Sequence, residues 1–412
     1  MNILLINHYA GSTRHGMEFR PFYLAREWVR AGHRVQIVAA SFSHIRVRQP
    51  EFEGATLDEQ IEGIDYHWLR TPAYTGNGLC RVKNMLAFMA GLWRGGPRLA
   101  REFHPDVVIA SSTYPMDIWP ARRIARLSQA RLVYEVHDLW PLSPMELGGL
   151  SRWHPFIVWV QLAEDYAYRH ADKVVSMLPK AMQYMCSRGM AAQKFAYVPN
   201  GVDEEEWANP ADLPPQVKRS LDVLRAKGLP LVGYAGTHGL SNALDVLLDA
   251  ASQLKGQAEV VIVGTGPDRE ALLARVANEE LSNVTMLPAI PKQSIPRFLD
   301  DVDIAYIGWH PNPLYRFGIS PNKLMDYMMA GKPVVHSVSA GNDPVAEAGC
   351  GFTVPPGDAA AVAQAILKLS AMSEAQRKLL GAAGKAFILK NQTYPFLAAN
   401  FLAATAKSGA IS

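Results

Sequence analysis

The sequence predicts an α/β protein made of two Rossmann-like domains in tandem, and three observations carry that reading. Short apolar runs such as Ile3–Ile6, Asp106–Ala110 and Glu259–Val263 alternate with helical patterns, the rhythm of a parallel sheet with crossover helices. The rhythm runs twice, and Asn209–Pro215, with three prolines in seven residues, separates the two runs. A chain of 412 residues is also long for one core and suits two.

In the first run, strands are predicted at Asn2–Asn7, Arg34–Ala39, Asp65–Leu69, Asp106–Ala110, Arg131–Val136, Lys173–Ser176 and Phe195–Val198. A loop through Gly11, Ser12 and Gly16 leads into a helix around Phe19–Ala31, which Gly32 ends. After the turn signal Asn200-Gly201 the pattern restarts with Leu231–Tyr234, the loop Gly236–Gly239 and a helix from Asn242 to Leu254. Glu259–Val263, the loop Gly264–Pro267 and a helix over Asp268–Asn278 follow. Further strands are predicted at Val284–Leu287, Ile304–Ile307, Pro333–His336 and Gly351–Val354. The domains are placed at 1–205 and 206–385, and the segment from Ala386 to about Ala406 reads helical.

Hydrophobic residues make up 49% of the chain and charged residues 19%, which describes a globular protein rather than a disordered one. A formal net charge of +3 demands no polyanionic partner, so nucleic acid is not expected. Through Asp203 there are 23 Lys and Arg against 18 Asp and Glu, and beyond it 18 against 20, so the mild basic excess lies in the first half. Cys80, Cys186 and Cys350 lie far apart without CxxC spacing, which argues against structural zinc and fits a reducing compartment. The longest apolar runs are too short to span a bilayer, and no signal-type leader precedes the first strand. A cytoplasmic protein is expected. Residues 81–101 read as a basic amphipathic helix and 153–160 as a weaker one; each fits either a crossover helix with a solvated basic side or contact with an anionic membrane face.

The most informative stretch is Phe317–Val335. Ser320 is suited to cap a helix and Pro321 to its first position, with Asn322 and Lys323 next and Asp326 three residues after Lys323 on the same face. Gly331 ends the helix before a buried strand. A helix start attracts phosphate, Lys323 adds a full charge there, and Asp326 is an acceptor for sugar hydroxyls. That combination suits a nucleotide-sugar. Gly236, Thr237 and His238 form a strand-to-helix loop at a carboxyl end of the sheet, where open α/β sheets bind ligands, and Gly264 belongs to a partial GxG. His137 and Asp138 emerge at another strand's carboxyl end. Gly16 and Glu18 lie on the first loop, where bare backbone can approach a ligand.

The Asp326 and Met329–Pro333 pattern resembles the C-terminal signature of family 4 glycosyltransferases, retaining enzymes of the GT-B fold, with Gly318 standing at the first of their two acidic positions. Gly16-Met-Glu18 resembles their first-domain entry loop, and Gly264–Pro267 their second glycine loop. The resemblance implies that Asp326 holds the ribose and Lys323 the diphosphate, with the nucleobase against the backbone at Ile290. It also implies that His137 stands near the transferred sugar and that the segment 386–412 returns to the first domain. The motif set is similar to bacterial surface-polysaccharide transferases, fucosamine-type among them. A UDP-linked N-acetylated or deoxy sugar, a lipid-linked or oligosaccharide acceptor and no metal or other cofactor are the corresponding expectations. A nucleotide-sugar 2-epimerase and a non-catalytic sugar-nucleotide binder are the alternatives.

Overall fold

A computed structural model of the chain describes residues 1–76 and 78–406, so the end of the segment expected at 386–412 lies outside the described residues. The chain forms two compact units, residues 1–199 together with the helix Tyr394–Thr405, and residues 200–393.

The first unit contains β1 (Asn2–Ile6), β2 (Arg34–Ala40), β3 (Thr56–Ile61), β4 (Ile64–Leu69), β5 (Val107–Ala110), β6 (Arg131–Val136), β7 (Lys173–Ser176) and β8 (Phe195–Tyr197). They form one sheet in the order β3-β4-β2-β1-β5-β6-β7-β8. All pairs are parallel except β3 with β4. The strand order turns around between β1 and β5, whose register sets Ile3 beside Val107.

Strand β3 went unread because Thr56–Ile61 is polar and solvated, an antiparallel edge strand joined to β4 by Glu62 and Gly63 with φ of 49° and 80°. The helix Arg20–Arg30 buries Phe22, Leu24 and Trp28 against the sheet. The helix Tyr394–Thr405 packs on it, with the Trp28 indole N–H donating to the Ala398 carbonyl at 3.0 Å and Phe401 edge-on to Trp28. Each fully buried Leu or Phe contributes about 1.5–3 kcal/mol over exposure, so Leu397 and Phe401 fix this helix in the first unit.

The second unit contains β9 (Leu231–Ala235), β10 (Glu259–Val263), β11 (Val284–Leu287), β12 (Ile304–Gly308), β13 (Val334–Ser337) and β14 (Gly351–Val354), all parallel, in the order β11-β10-β9-β12-β13-β14. That is the doubly wound order, which reverses between β9 and β12 and opens its ligand crevice there. Every residue of β9, β10 and β12 is buried, because both sheet faces carry helices.

Three expectations need correcting. The units divide between Pro199 and Asn200, not at 205/206. The proline cluster is no linker: the Ala211 N–H donates to the Gln293 carbonyl, Ser294 Oγ donates to the Asp212 carbonyl, and Pro215 opens the helix Pro215–Ala226. The helix expected from Ala386 is two helices, Glu374–Asn391 in the second unit and Tyr394–Thr405 in the first. The break falls at Gln392-Thr393, where the Val202 N–H takes the Gln392 carbonyl at 2.9 Å.

Candidate functional site

The second unit's site is built on the helix Asn322–Met329. Pro321 flanks it in an extended conformation and no side chain caps it, so the first-turn N–H groups keep their positive potential. Ser320 does not cap as expected. Its Oγ accepts from the Asn200 N–H at 2.7 Å and its carbonyl accepts from Asn200 Nδ2 at 2.7 Å, which ties the approach to the helix down. Asn322 is exposed as the first helical residue. Gly318, which the resemblance sets at the first acidic position of the signature, has φ of 103° and ψ of 172°. That region is open essentially to glycine alone, which is the physical reason no side chain stands there.

Lys323 lies under the loop that follows β9. Its Nζ donates to Asn242 Oδ1 at 2.5 Å and to the Tyr234 hydroxyl at 3.2 Å. A Cβ on Gly236, whose φ is 156°, would sit 2.6 Å from Lys323 Cδ, so the glycine lets the ammonium reach the strand end. No carboxylate among the described residues pairs with Lys323, and burial alone pulls its pKa down to about 8. Asp326, half-buried one turn on, has its pKa pushed up to about 7. Burial is the main cause and the Glu206 charge adds to it, while Lys292 and the Trp207 indole oppose it. Glu206 is already engaged by Lys292 at 2.5 Å.

The two glycine loops interlock. The Gly236 N–H donates to the Val263 carbonyl at 2.9 Å, so it is not a donor for a ligand, whereas Thr237 is exposed. The Thr237 carbonyl accepts from the Tyr234 hydroxyl and Asn242 Nδ2. The His238 N–H donates to the Thr265 carbonyl, and its carbonyl accepts from the Asp268 N–H. A Cβ on Gly264 would stand 1.8 Å from the Gly236 carbonyl oxygen. His238 is fully buried beneath this contact, its pKa lowered by burial and by Arg269 and Lys323. Ile290, just beyond β11, is half-buried against the core, with Pro288 and Ala289 exposed beside it.

The first unit carries a second cluster at the ends of β1, β5 and β6. Arg20 and Glu135 form a fully buried pair at 2.9 Å, and Arg20 also donates to the carbonyls of Val198 and Pro199. Ser111 Oγ donates to Glu135 at 2.6 Å, and His137 Nε2 lies 3.1 Å from Ser111 Oγ and 3.4 Å from Glu135. Burial would raise the pKa of Glu135, but Arg20, His137 and Ser111 overcome it and hold the carboxyl at about 2. Burial would depress His137, yet Glu135 outweighs it, Glu18 adds to the effect, and the imidazole titrates above its usual value.

Glu18 thus lies within electrostatic reach of His137, while Asp138, exposed by area on the loop beyond, has its carboxyl pKa raised by desolvation, which His137 partly offsets. Gly16, φ 87°, closes a tight turn by exchanging both backbone hydrogen bonds with Ser12. Trp207, Glu206 and Lys292 were missed by sequence reasoning. Only the fold sets them beside Asp326, and no local pattern signals them.

Comparison with known proteins finds matches to both halves of the chain. A glycosyl transferase 4-like domain matches residues 15–201, and a glycosyl transferases group 1 domain matches residues 229–372. The chain is 27% identical over 209 residues to the putative colanic acid biosynthesis glycosyltransferase WcaL of Salmonella typhimurium, covering 49% of this chain and 48% of that protein. The match therefore spans about half the length of that curated relative. Sucrose-phosphate synthase from Thermosynechococcus elongatus superposes with a TM-score of 0.73 at 17% identity over 98% of each chain. Anabaena HepE, in complex with UDP, superposes with a TM-score of 0.68 at 15% identity over 98% of this chain and 99% of that one. At those identities the likeness shows the fold, the two Rossmann-like domains of the GT-B architecture.

Proposed function

The chain belongs to the glycosyltransferases that combine a glycosyl transferase 4-like domain with a group 1 domain, and we propose that it moves a sugar from a uridine nucleotide-sugar to a lipid-linked or growing polysaccharide acceptor. The observation that carries this reading is the pair Lys323 and Asp326, both desolvated and neither matched by an opposite charge it touches, at an uncapped helix start beside the β9/β12 reversal. A diphosphate supplies the anion that Lys323 and the helix start lack. Ribose hydroxyls supply donors to Asp326 beyond the Trp207 indole. The relation to a colanic acid transferase supports the polysaccharide product, and the UDP complex of a protein of the same fold supports uridine.

Transfer proceeds with retention. The acceptor hydroxyl attacks the anomeric carbon from the face the diphosphate leaves, and its proton passes to the departing diphosphate oxygen. Lys323, the helix start and the Thr237 N–H stabilise the charge that grows on the leaving group. No metal takes part in the proposal. In the first unit, His137 hydrogen-bonds sugar or acceptor hydroxyls, with its ring held by Ser111 and Glu135, and Asp138 and Glu18 offer acceptor oxygens.

The helix Leu79–Phe103 buries Met85, Phe88 and Leu92 and exposes Leu86 and Trp93 beside Lys83, Arg94 and Arg98. Trp153, Val158 and Leu162 are exposed in the same unit. No helix among the described residues is long and apolar enough to cross a membrane. These exposed groups suit contact with a cytoplasmic membrane face that carries the lipid-linked acceptor.

The test is turnover of a panel of UDP-sugars with a membrane extract as acceptor source. The proposal expects sugar incorporation and UDP release that Asp326→Ala abolishes. Incorporation that survives Asp326→Ala would sink it.

A further inference from the structure

Arg269 opens the helix Arg269–Asn278, immediately after the glycine loop that follows β10. Its guanidinium turns back over the strand ends, where Nη1 donates to the carbonyls of Gly264 and Leu287 at 3.3 Å each. Gly264 follows β10 and Leu287 ends β11, so one side chain spans both carboxyl ends. Both contacts are long, and an arginine carries five N–H donors, so most of its donor capacity remains. Among the described residues no carboxylate pairs with it, whereas Arg275, one turn and a half further on, holds both Asp249 and Glu279. Arg269 is half-buried, neither a solvated surface cation nor a satisfied core group.

The surroundings are those of a small recognition surface. On one side Gly264, buried and with a φ of 148°, lets the Gly236 carbonyl pack against it and holds the guanidinium by its own carbonyl. On the other side Leu287 leads into exposed Pro288 and Ala289 and half-buried Ile290, an apolar shelf beside the guanidinium. In a sheet of this order the phosphates sit at the reversal and the nucleoside extends over the strands of one half. Here Lys323 marks the phosphate end, under the loop after β9. The loops after β10 and β11 are then left for the base.

We propose that Arg269 reads the base of the donor nucleotide and selects an oxo-bearing edge, uracil or guanine, over adenine. A guanidinium offers donors only. Uracil presents carbonyl oxygens and guanine presents O6 and N7, while the amino group of adenine would set donor against donor. The inference rests on the nucleotide-sugar reading above, and the test separates the two.

UDP, GDP and ADP are titrated calorimetrically into the full chain and into Arg269→Gln, Arg269→Lys and Lys323→Ala. The wild type is expected to bind UDP or GDP about 10-fold or more tightly than ADP. Arg269→Gln removes about 10- to 100-fold of that preference and leaves ADP within about twofold. Arg269→Lys restores only part, since a point charge lacks the planar fork. Preference for UDP assigns uracil, and preference for GDP assigns guanine. Equal affinity for all three in the wild type, or a uniform loss in Arg269→Gln with a lowered Tm, overturns base reading and makes Arg269 a brace between loops; the nucleotide site would stand. Unchanged binding of all three in Lys323→Ala overturns the nucleotide site and this proposal with it.

Discussion

The two polar clusters at the strand ends handle charge in opposite ways. In the first unit Arg20, Glu135, Ser111 and His137 satisfy one another, and Glu135 is held at about 2. In the second unit Lys323 and Asp326 are also withdrawn from water but meet only neutral groups or already paired ones, and they titrate at about 8 and about 7. Matched charges keep their ionisation and brace the fold. Unmatched ones drift toward neutrality, and the interactions they lack describe the ligand that would restore their charges.

The largest effect expected from breaking this contrast is on stability in the first unit. Arg20→Met leaves Glu135 buried with only Ser111 and His137 to hold it, which costs about 3–5 kcal/mol; urea unfolding of the variant measures it. A loss below about 1 kcal/mol would mean that the pair is not the brace described. Asp326→Asn should act the other way round. It is expected to cost about 100-fold in UDP-glucose affinity, the value of two hydrogen bonds to a charged acceptor, while raising the melting temperature of the free protein.

The sign follows from the raised pKa. Asp326 ionises near 3.9 in the unfolded chain and at about 7 in the fold, so the stability favouring its protonated form is full below about pH 4 and lost as pH rises through about 7. The gain in Asp326→Asn should grow across that window and level off above it, a trend that melting curves from pH 4 to 9 would check.

Donor affinity should show the same groups as a bell. Below about 7 Asp326 must lose a proton to accept the ribose hydroxyls, and above about 8 Lys323 loses the charge that holds the diphosphate. Affinity should fall about tenfold per pH unit well outside the window, and a flat profile from pH 5 to 10 would remove both residues from the site. The smallest effect belongs to Ser320→Ala, which breaks the tether from the Asn200 N–H. A loss of about 1 kcal/mol in stability with a modest weakening of binding is expected; a loss of all binding would give the hydroxyl a direct role.

Much of this was legible in the sequence. Parallel strands read as apolar runs, unbroken where both faces are buried, so 13 of the 14 strands among the described residues could be placed. The helix carrying Lys323 and Asp326 could be read from its proline, its glycine stop and its spacing. Strand β3 was hidden by its polar alternation, and the domain border by prolines that start a helix rather than a linker. Trp207 and Lys292 surround Asp326 from distant parts of the chain, and the burial of His238 follows from how two glycine loops interlock. Neither is a local property, so neither leaves a local signal.

The most direct test of the account is the proton count on nucleotide-sugar binding. UDP-glucose suits it because its esterified phosphates do not titrate near neutrality. Calorimetry at pH 7 in buffers of different ionisation enthalpy should show release of about half a proton as Asp326 takes its ionised form, and Asp326→Asn should remove that release. Tight binding without proton release, unchanged in Asp326→Asn, would contradict it.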